Sequence, residues 1–399
     1  MAKEQQVRPR TEGWEQRVDP SGKPLLEFRQ KRRTDLPPHL VDGGLEQATE
    51  RVVAAGWPAF RAKQVRTHYT THYTSDPEAM TDLPALRREE LVAAVTPPLL
   101  TPIRTLRTDN SDSIKFLWRA LDGALIESVL MRYPGRITLC ISSQAGCGMN
   151  CPFCATGQAG LTRNLNASEI VDQVVQANAL IQRGEFGRDP ARNSSDPERV
   201  TNIVFMGMGE PLANYSRVMT AIRFLVAPQP DGLGMSARQI TVSTVGLAPA
   251  MAKLAAEDLP LTLALSLHAP DNELRDELVP VNDRWDVDEV LDQARAYFDK
   301  TGRRVSIEYA LIHNMNDHVW RAELLAEKLL ARGRGWVHVN PIPLNPTPGS
   351  VWTASTPQAT RAFLNVLNSA GIPTTLRDTR GKEIDGACGQ LAATVDEVS

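Results

Sequence analysis

The sequence predicts an α/β fold: an open, partial (β/α)6 barrel with a small helical accessory domain on its N-terminal side. Three observations support this. Between residues 137 and 342, six apolar runs of strand length alternate with helical patterns, as expected of a parallel sheet covered on both faces. Six such units are too few for a closed eight-stranded barrel. Finally, 399 residues with 42% hydrophobic content exceed one average domain and suit a large α/β unit plus a smaller one.

In chain order, residues 1–35 are polar and charge-rich, with a basic run at Arg29–Arg33. They read as a disordered basic tail, either a solvated extension or an arm that contacts RNA. Residues 36–98 read as the helical accessory domain. "GLEQATERVVAAGW" puts Leu45, Ala48, Val52 and Val53 on one face, the next helical run offers Phe60, Val65 and Tyr69 to a core, and "DLPALRREELVAAV" gives a third short helix. Arg61, Lys63, Arg66 and His68 interleave with aromatics, which fits an ordinary amphipathic helix pair or a surface that grips an RNA backbone. Residues 99–133 read as a β-hairpin linker, turning at Asp122-Gly123.

Residues 134–399 hold the barrel, with strands expected at 137–142, 202–206, 239–243, 261–266, 306–311 and 336–342. After the first strand a helix begins at Asn166. Glu169 stands three residues on as a capping-box partner, and Ile170, Val174 and Val175 share a face. Residues 183–200 are a polar insertion that reads as an exposed loop.

Composition narrows the class of protein. A net charge of −3 excludes a polycation but leaves room for local basic patches that bind RNA. Five cysteines, three of them within eight residues, do not make a disulfide framework; they suit a reducing cytosol and metal or catalytic use. No signal-like segment and no run of about eighteen apolar residues appears. The expectation is a soluble cytoplasmic protein with no membrane partner, and a monomer by default.

In a parallel barrel the loops after the strands form the active-site face. Here they carry Cys147, Cys151 and Cys154, then "GMGEPLAN" (Gly207–Asn214), "STVG" (Ser243–Gly246), "SLHAP" (Ser266–Pro270) and "PLNPTPG" (Pro343–Gly349). The cysteine spacing is C-x3-C-x2-C. Structural zinc wants four ligands, usually as two pairs, and a thioredoxin-like motif uses only one pair. Three thiolates on one tight loop suit a [4Fe–4S] cluster with one iron left open. Zinc binding remains the alternative.

Cysteines at this spacing, with Phe153 before the last, resemble the radical S-adenosylmethionine superfamily. "TLCISSQAGCGMNCPFCATGQAGLTRNL", "FMGMGEPLANY", "SLHAPDNELRDELVPVN" and "TRGKEIDGACGQL" resemble, more narrowly, its family of RNA adenine-C2 methyltransferases, over roughly residues 40–395. The resemblance implies a [4Fe–4S] cluster on Cys147, Cys151 and Cys154, and two molecules of S-adenosylmethionine per turnover. It implies that Gly209, Glu210, Ser243, Ser266, Leu267, His268 and Asn345 bind that cofactor, Glu210 facing its ammonium group. It also implies a methyl group carried on Cys388, from which a 5′-deoxyadenosyl radical takes hydrogen. A covalent protein–RNA link follows, resolved by Cys140 through a disulfide with Cys388, with Glu127 as proton acceptor. The implied partners are 23S rRNA, tRNA and an electron donor such as flavodoxin or ferredoxin. A related carbon-8 methyltransferase is the near alternative, and a non-catalytic zinc RNA-binding protein the distant one.

Overall fold

The computed structural model describes residues 36–109, 112–187, 198–345 and 351–377. The N-terminal tail, residues 188–197 of the polar insertion, and Cys388 lie outside the described residues. None of the described helices is long and apolar enough to cross a membrane.

Helices α1 (Leu40–Ala54), α2 (Phe60–Thr71) and α3 (Arg88–Val95) enclose a small core of Leu40, Ala48, Val52, Ala62, Val65, Leu91, Val92 and Val95. Two residues expected in a core are not there: Val53 and Phe60 are each more than half exposed. Val53 lies one helical step, about 100°, past Val52 and so leaves the buried stripe. Phe60 opens its helix, and its ring carries the Arg61 guanidinium 4.8 Å from its centroid. The basic residues of α2 mostly have partners within the protein: Arg61 donates to Gln64, Arg66 pairs with Asp231, and His68 lies 2.6 Å from Asp82.

A nine-stranded sheet follows, in the order β1-β2-β3-β4-β7-β8-β9-β10-β11. Strands β1 (Leu100–Arg107), β2 (Ser113–Ala120), β3 (Leu125–Tyr133) and β4 (Arg136–Cys140) are antiparallel neighbours. The β2–β3 turn is the expected one, with Gly123 at φ 84° and the Asp122 carboxylate accepting the Ala124 amide at 3.1 Å. Strand β1 was not expected. It is a mostly exposed edge strand holding Pro102 at a bulge, and neither feature gives an apolar alternation.

From β4 onward the sheet is parallel through β7 (Asn202–Phe205), β8 (Ile240–Thr244), β9 (Thr262–Ser266), β10 (Val305–Leu311) and β11 (Val337–Pro343). These are the six anticipated strands, each displaced by at most two residues at either end. The order has two ends, so the barrel is open. Between β4 and β7 lie a short hairpin, β5 (Gln144–Gly146) and β6 (Leu161–Asn164), with α4 (Ala155–Gln158) inside its loop, and then α5 (Ala167–Gln182). Helices α6 (Tyr215–Val226), α7 (Ala248–Ala256), α8 (Asn272–Leu278), α9 (Val287–Thr301) and α10 (Val319–Ala331) complete the crossovers, and α11 (Pro357–Ser369) follows the last strand.

Strand alternation divides the sheet chemically. Ile114, Phe116, Ile126, Leu130, Ile137, Leu139, Ile203 and Phe205 face the main core. The opposite parity carries Lys115, Glu127, Cys140, Ser243, Ser266 and Glu308 on the concave face. The capping box of α5 forms as expected. The Glu169 carboxylate accepts the Asn166 amide at 2.9 Å and also pairs with Arg163, which reaches Asp122 in the β2–β3 turn. That chain of charges pins the β5–β6 hairpin, and hence the cysteine loop, to the sheet.

Candidate active site

Chain geometry gathers the three clustered cysteines. The β5–β6 hairpin closes their loop at its base, where the Cys147 amide donates to the Gly160 carbonyl at 2.9 Å. Further on, the Cys154 amide donates to the Cys151 carbonyl at 3.1 Å and the Gln158 amide to the Cys154 carbonyl at 3.0 Å. Gly157 completes the turn against the Cys151 backbone, where a Cβ would sit 2.9 Å from the Cys151 carbonyl oxygen.

All three cysteines line one cavity of about 230 Å³ with Phe153, Gly209, Glu210, Ser243, Ser266 and His268. Burial pushes each of the three thiols above the ordinary range. Thiols held neutral in this way become ligands by losing their protons to solvent as a cation binds. Among the described residues, no three His, Cys, Asp or Glu side chains converge closely enough to hold a single metal ion. Zinc would need such convergence, with each sulfur about 2.3 Å from one centre. A cubane cluster instead spreads its thiolates over different irons, so three thiols ringing a cavity fit a [4Fe–4S] group with one open iron.

The "GMGEP" loop is locked to the cysteine hairpin. Ser143 and Gln144 amides both donate to the Met208 carbonyl, and the Gln144 side-chain oxygen accepts the Glu210 amide at 2.9 Å. Gly209 sits at φ 104°, and a Cβ there would come within 2.5 Å of the Gln144 Cβ. Glu210 is buried. One of its carboxylate oxygens accepts the Leu212 amide at 3.0 Å and the other the Val245 amide at 2.9 Å. The Thr244 hydroxyl is a third donor to this carboxylate, which keeps one acceptor position for a cation donor. Burial nevertheless pushes the Glu210 carboxyl up to about 7, against the pull of the two amides and the Thr244 hydroxyl. An ammonium in the cavity would restore the charged form.

His268 lines the same cavity at a left-handed φ of 61°, edge-on to Phe153 with ring centroids 5.0 Å apart. Its Nδ1 accepts the Ala310 amide at 3.0 Å, so Nε2 carries the proton. Burial, aided by the nearby Arg275 charge, lowers the imidazole to about 3. The ring is therefore a neutral hydrogen-bond donor and not a base. The Ser243 hydroxyl donates to the Phe205 carbonyl, which leaves its oxygen to accept from a ligand.

Two expected cofactor residues stand differently. Leu267 is fully buried, its amide and carbonyl engaged by Glu308 and Arg275, and it does not line the cavity. Asn345 is half-buried just past β11, outside the cavity lining. Conversely, Met206, Glu308, Ile342 and Arg377 line the cavity without having been singled out. An acid in the apolar run "SIEYAL" was the available signal for Glu308.

Cys140 and Glu127 share the concave face of the sheet. Cys140 pairs across β4–β3 with Val129, two residues from Glu127. Both residues are buried, and Glu127 lies 3.1 Å from the equally buried Lys115 ammonium. The Ser142 hydroxyl donates to the Glu127 carbonyl at 2.6 Å and accepts the Met208 amide at 2.9 Å, joining this strand to the "GMGEP" loop.

An open six-stranded parallel barrel with a three-thiol cavity at its strand ends defines a radical S-adenosylmethionine enzyme. A solved radical S-adenosylmethionine methyltransferase from Sphaerobacter thermophilus superposes with a TM-score of 0.80 at 44% identity, covering 89% of this chain and 99% of that one. A protein of Kocuria rhizophila described as a probable dual-specificity RNA methyltransferase RlmN is 62% identical over 367 residues, 92% of this chain and 95% of its own length. Its counterpart in Kineococcus radiotolerans is 60% identical over 94% of both chains. No family model matches the chain. The chain belongs to the RlmN family of RNA methyltransferases.

Proposed function

We propose that this protein methylates carbon 2 of adenosine in 23S rRNA and of the adenosine 3′ of the anticodon in tRNA. The observation that carries the reading is the sharing of one cavity by three thiols and the buried Glu210 carboxylate. Family membership and the RlmN names of close relatives support the target.

Cys147, Cys151 and Cys154 would hold the [4Fe–4S] cluster, and Glu210 would take the ammonium of S-adenosylmethionine. When bound, the two supply the radical chemistry that an electron-poor, non-nucleophilic carbon requires. The protein's own groups do the rest. Gly209 brings backbone close to the cofactor, Ser243 and Ser266 offer acceptor oxygens, and His268 presents a fixed N–H. Cys388 carries the methyl group on its sulfur. Glu127 accepts the proton lost from the base. Cys140, as thiolate, forms a disulfide with Cys388 while the electron pair of the carbon–sulfur bond passes to the base, whose methylene carbon takes a proton to become the methyl group. The resting disulfide must then be reduced, and an electron donor such as flavodoxin or ferredoxin serves the cluster.

Digestion of modified RNA and identification of its nucleosides tests the reading. We expect 2-methyladenosine; 8-methyladenosine alone would assign the carbon-8 reaction instead. Anaerobic reconstitution with iron and sulfide is expected to give cluster absorbance, whereas stoichiometric zinc without iron would support the binding protein.

A further inference from the structure

Arg275 stands in "NELRDELVPVN", a stretch to which no role has yet been attached. Its side chain is fully buried on α8. Leu274 and Leu278 of the same helix pack in one cluster with Met149 and Cys151 of the cysteine loop. Arg275 donates from Nε to the Leu267 carbonyl at 3.0 Å, from Nη2 to the Val245 carbonyl at 2.5 Å and from Nη1 to the Asn282 side-chain oxygen at 2.7 Å. Longer contacts of 3.5 Å reach the Trp285 and Ser266 carbonyls. Each of these acceptors is a neutral oxygen, and among the described residues no carboxylate lies within ion-pair distance.

A buried cation that no carboxylate pairs directly is costly. The hydrogen bonds satisfy its donors but not its charge. Asp276 and Asp286 act on it from beyond pairing distance, and the larger neighbouring charge is the cysteine site: Arg275 and Cys151 lie close enough for each charge to act on the other. Three thiolates make a bound cluster net negative even when oxidised, and the added electron makes it more so. Net charge and the surrounding field set such potentials.

We propose that Arg275 is the internal counter-charge of the iron–sulfur cluster, raising the potential at which the cluster accepts its electron, while its fork fixes the β8 and β9 ends beside the cofactor. This rests on the reading of the three-thiol cavity as a [4Fe–4S] site. It makes Arg275 a positioning residue that acts through the field, not one that touches the reacting atoms.

The test is the midpoint potential of the reconstituted full-length protein, followed by cluster absorbance during titration with dithionite. In Arg275→Met the ratio of reduced to oxidised cluster at the wild-type midpoint should fall about tenfold, about 59 mV for one electron. Arg275→Lys, which keeps the charge but not the fork, should stay near the wild-type value. A second variant leaves the arginine in place. Asn282 donates to the Asp276 carboxylate at 2.6 Å, so Asn282→Asp with Asp276→Asn exchanges acid and amide at constant net charge. It hands Arg275 a counter-ion and should also lower the potential, which keeps the proposal decidable if Arg275→Met does not assemble a cluster. An unmoved midpoint in a neutralised variant, or an equal shift in Arg275→Lys, overturns the proposal. Failure of the wild-type protein to form any cluster would instead sink the reading of the cavity.

Discussion

Lys115 and Glu127 form an ion pair at 3.1 Å with both side chains wholly withdrawn from solvent. They project from adjacent strands β2 and β3 onto the concave face that also bears Cys140, and β4 joins that face to the barrel. A charge pair so placed does more for geometry than for net stability, because desolvation offsets most of the Coulombic gain.

That asymmetry is measurable. Lys115→Met or Glu127→Leu alone strands a buried charge and should cost about 3–5 kcal/mol. The double variant should recover most of that loss. Thermal or urea denaturation of the four proteins, read as a double-mutant cycle, checks it. Additive losses would mean that the pair does not act as a unit.

Glu210 links stability and binding to pH. Its folded-state value of about 7 exceeds its ordinary 4.5, so the folded protein keeps a proton that the unfolded chain releases. The resulting stabilisation is complete below pH 4.5 and lost as pH rises through about 7. Asp172, raised by burial from 3.8 to about 7, acts with the same sign. The cofactor-free protein should therefore melt at a lower temperature at pH 7.5 than at pH 5.5, and Glu210→Gln should flatten that slope. Binding of S-adenosylmethionine needs the carboxylate and should run the other way, weakening below pH 7. The same variant should lose about tenfold or more in affinity, as calorimetry can show.

Gly209→Ala forces a side chain into a conformation that costs about 1–3 kcal/mol and against Gln144, which positions the Glu210 amide. Cofactor affinity should fall while iron content, measured by chemical assay, stays at the wild-type level. Equal loss of both would show that the loop is needed to assemble the cysteine site itself.

Cys388→Ala should abolish methyl transfer and retain the cluster. Cys140→Ala should instead accumulate a covalent protein–RNA species, seen as a slow band on a denaturing gel. Turnover by the first variant, or absence of the band in the second, contradicts the roles given to these cysteines.

Much of the barrel was legible because buried parallel strands leave continuous apolar runs, and "ITLCIS", "QITVS" and "LTLALS" fall within two residues of β4, β8 and β9. The cysteine loop and Glu210 stood out by residue type at strand ends. Edge strand β1 did not, since exposure removes the apolar signal. The misplaced Val53 shows how one helical step separates core from surface. Arg275, Glu308 and Lys115 were missed for a common reason: charged residues inside apolar or amphipathic runs look like solvated faces until tertiary packing buries them.

One further feature concerns reach. After α11 the chain runs beside β11, with the Val339 amide donating to Pro373 and the Arg377 amide to the Pro341 carbonyl, and Arg377 itself lines the cavity. Cys388 follows eleven residues later. Eleven residues span at most about 40 Å, so its sulfur is leashed to the rim of the cavity. In the reaction proposed above, the methyl carrier would therefore act as an intramolecular reagent, within a bounded distance of an arginine in the cavity wall.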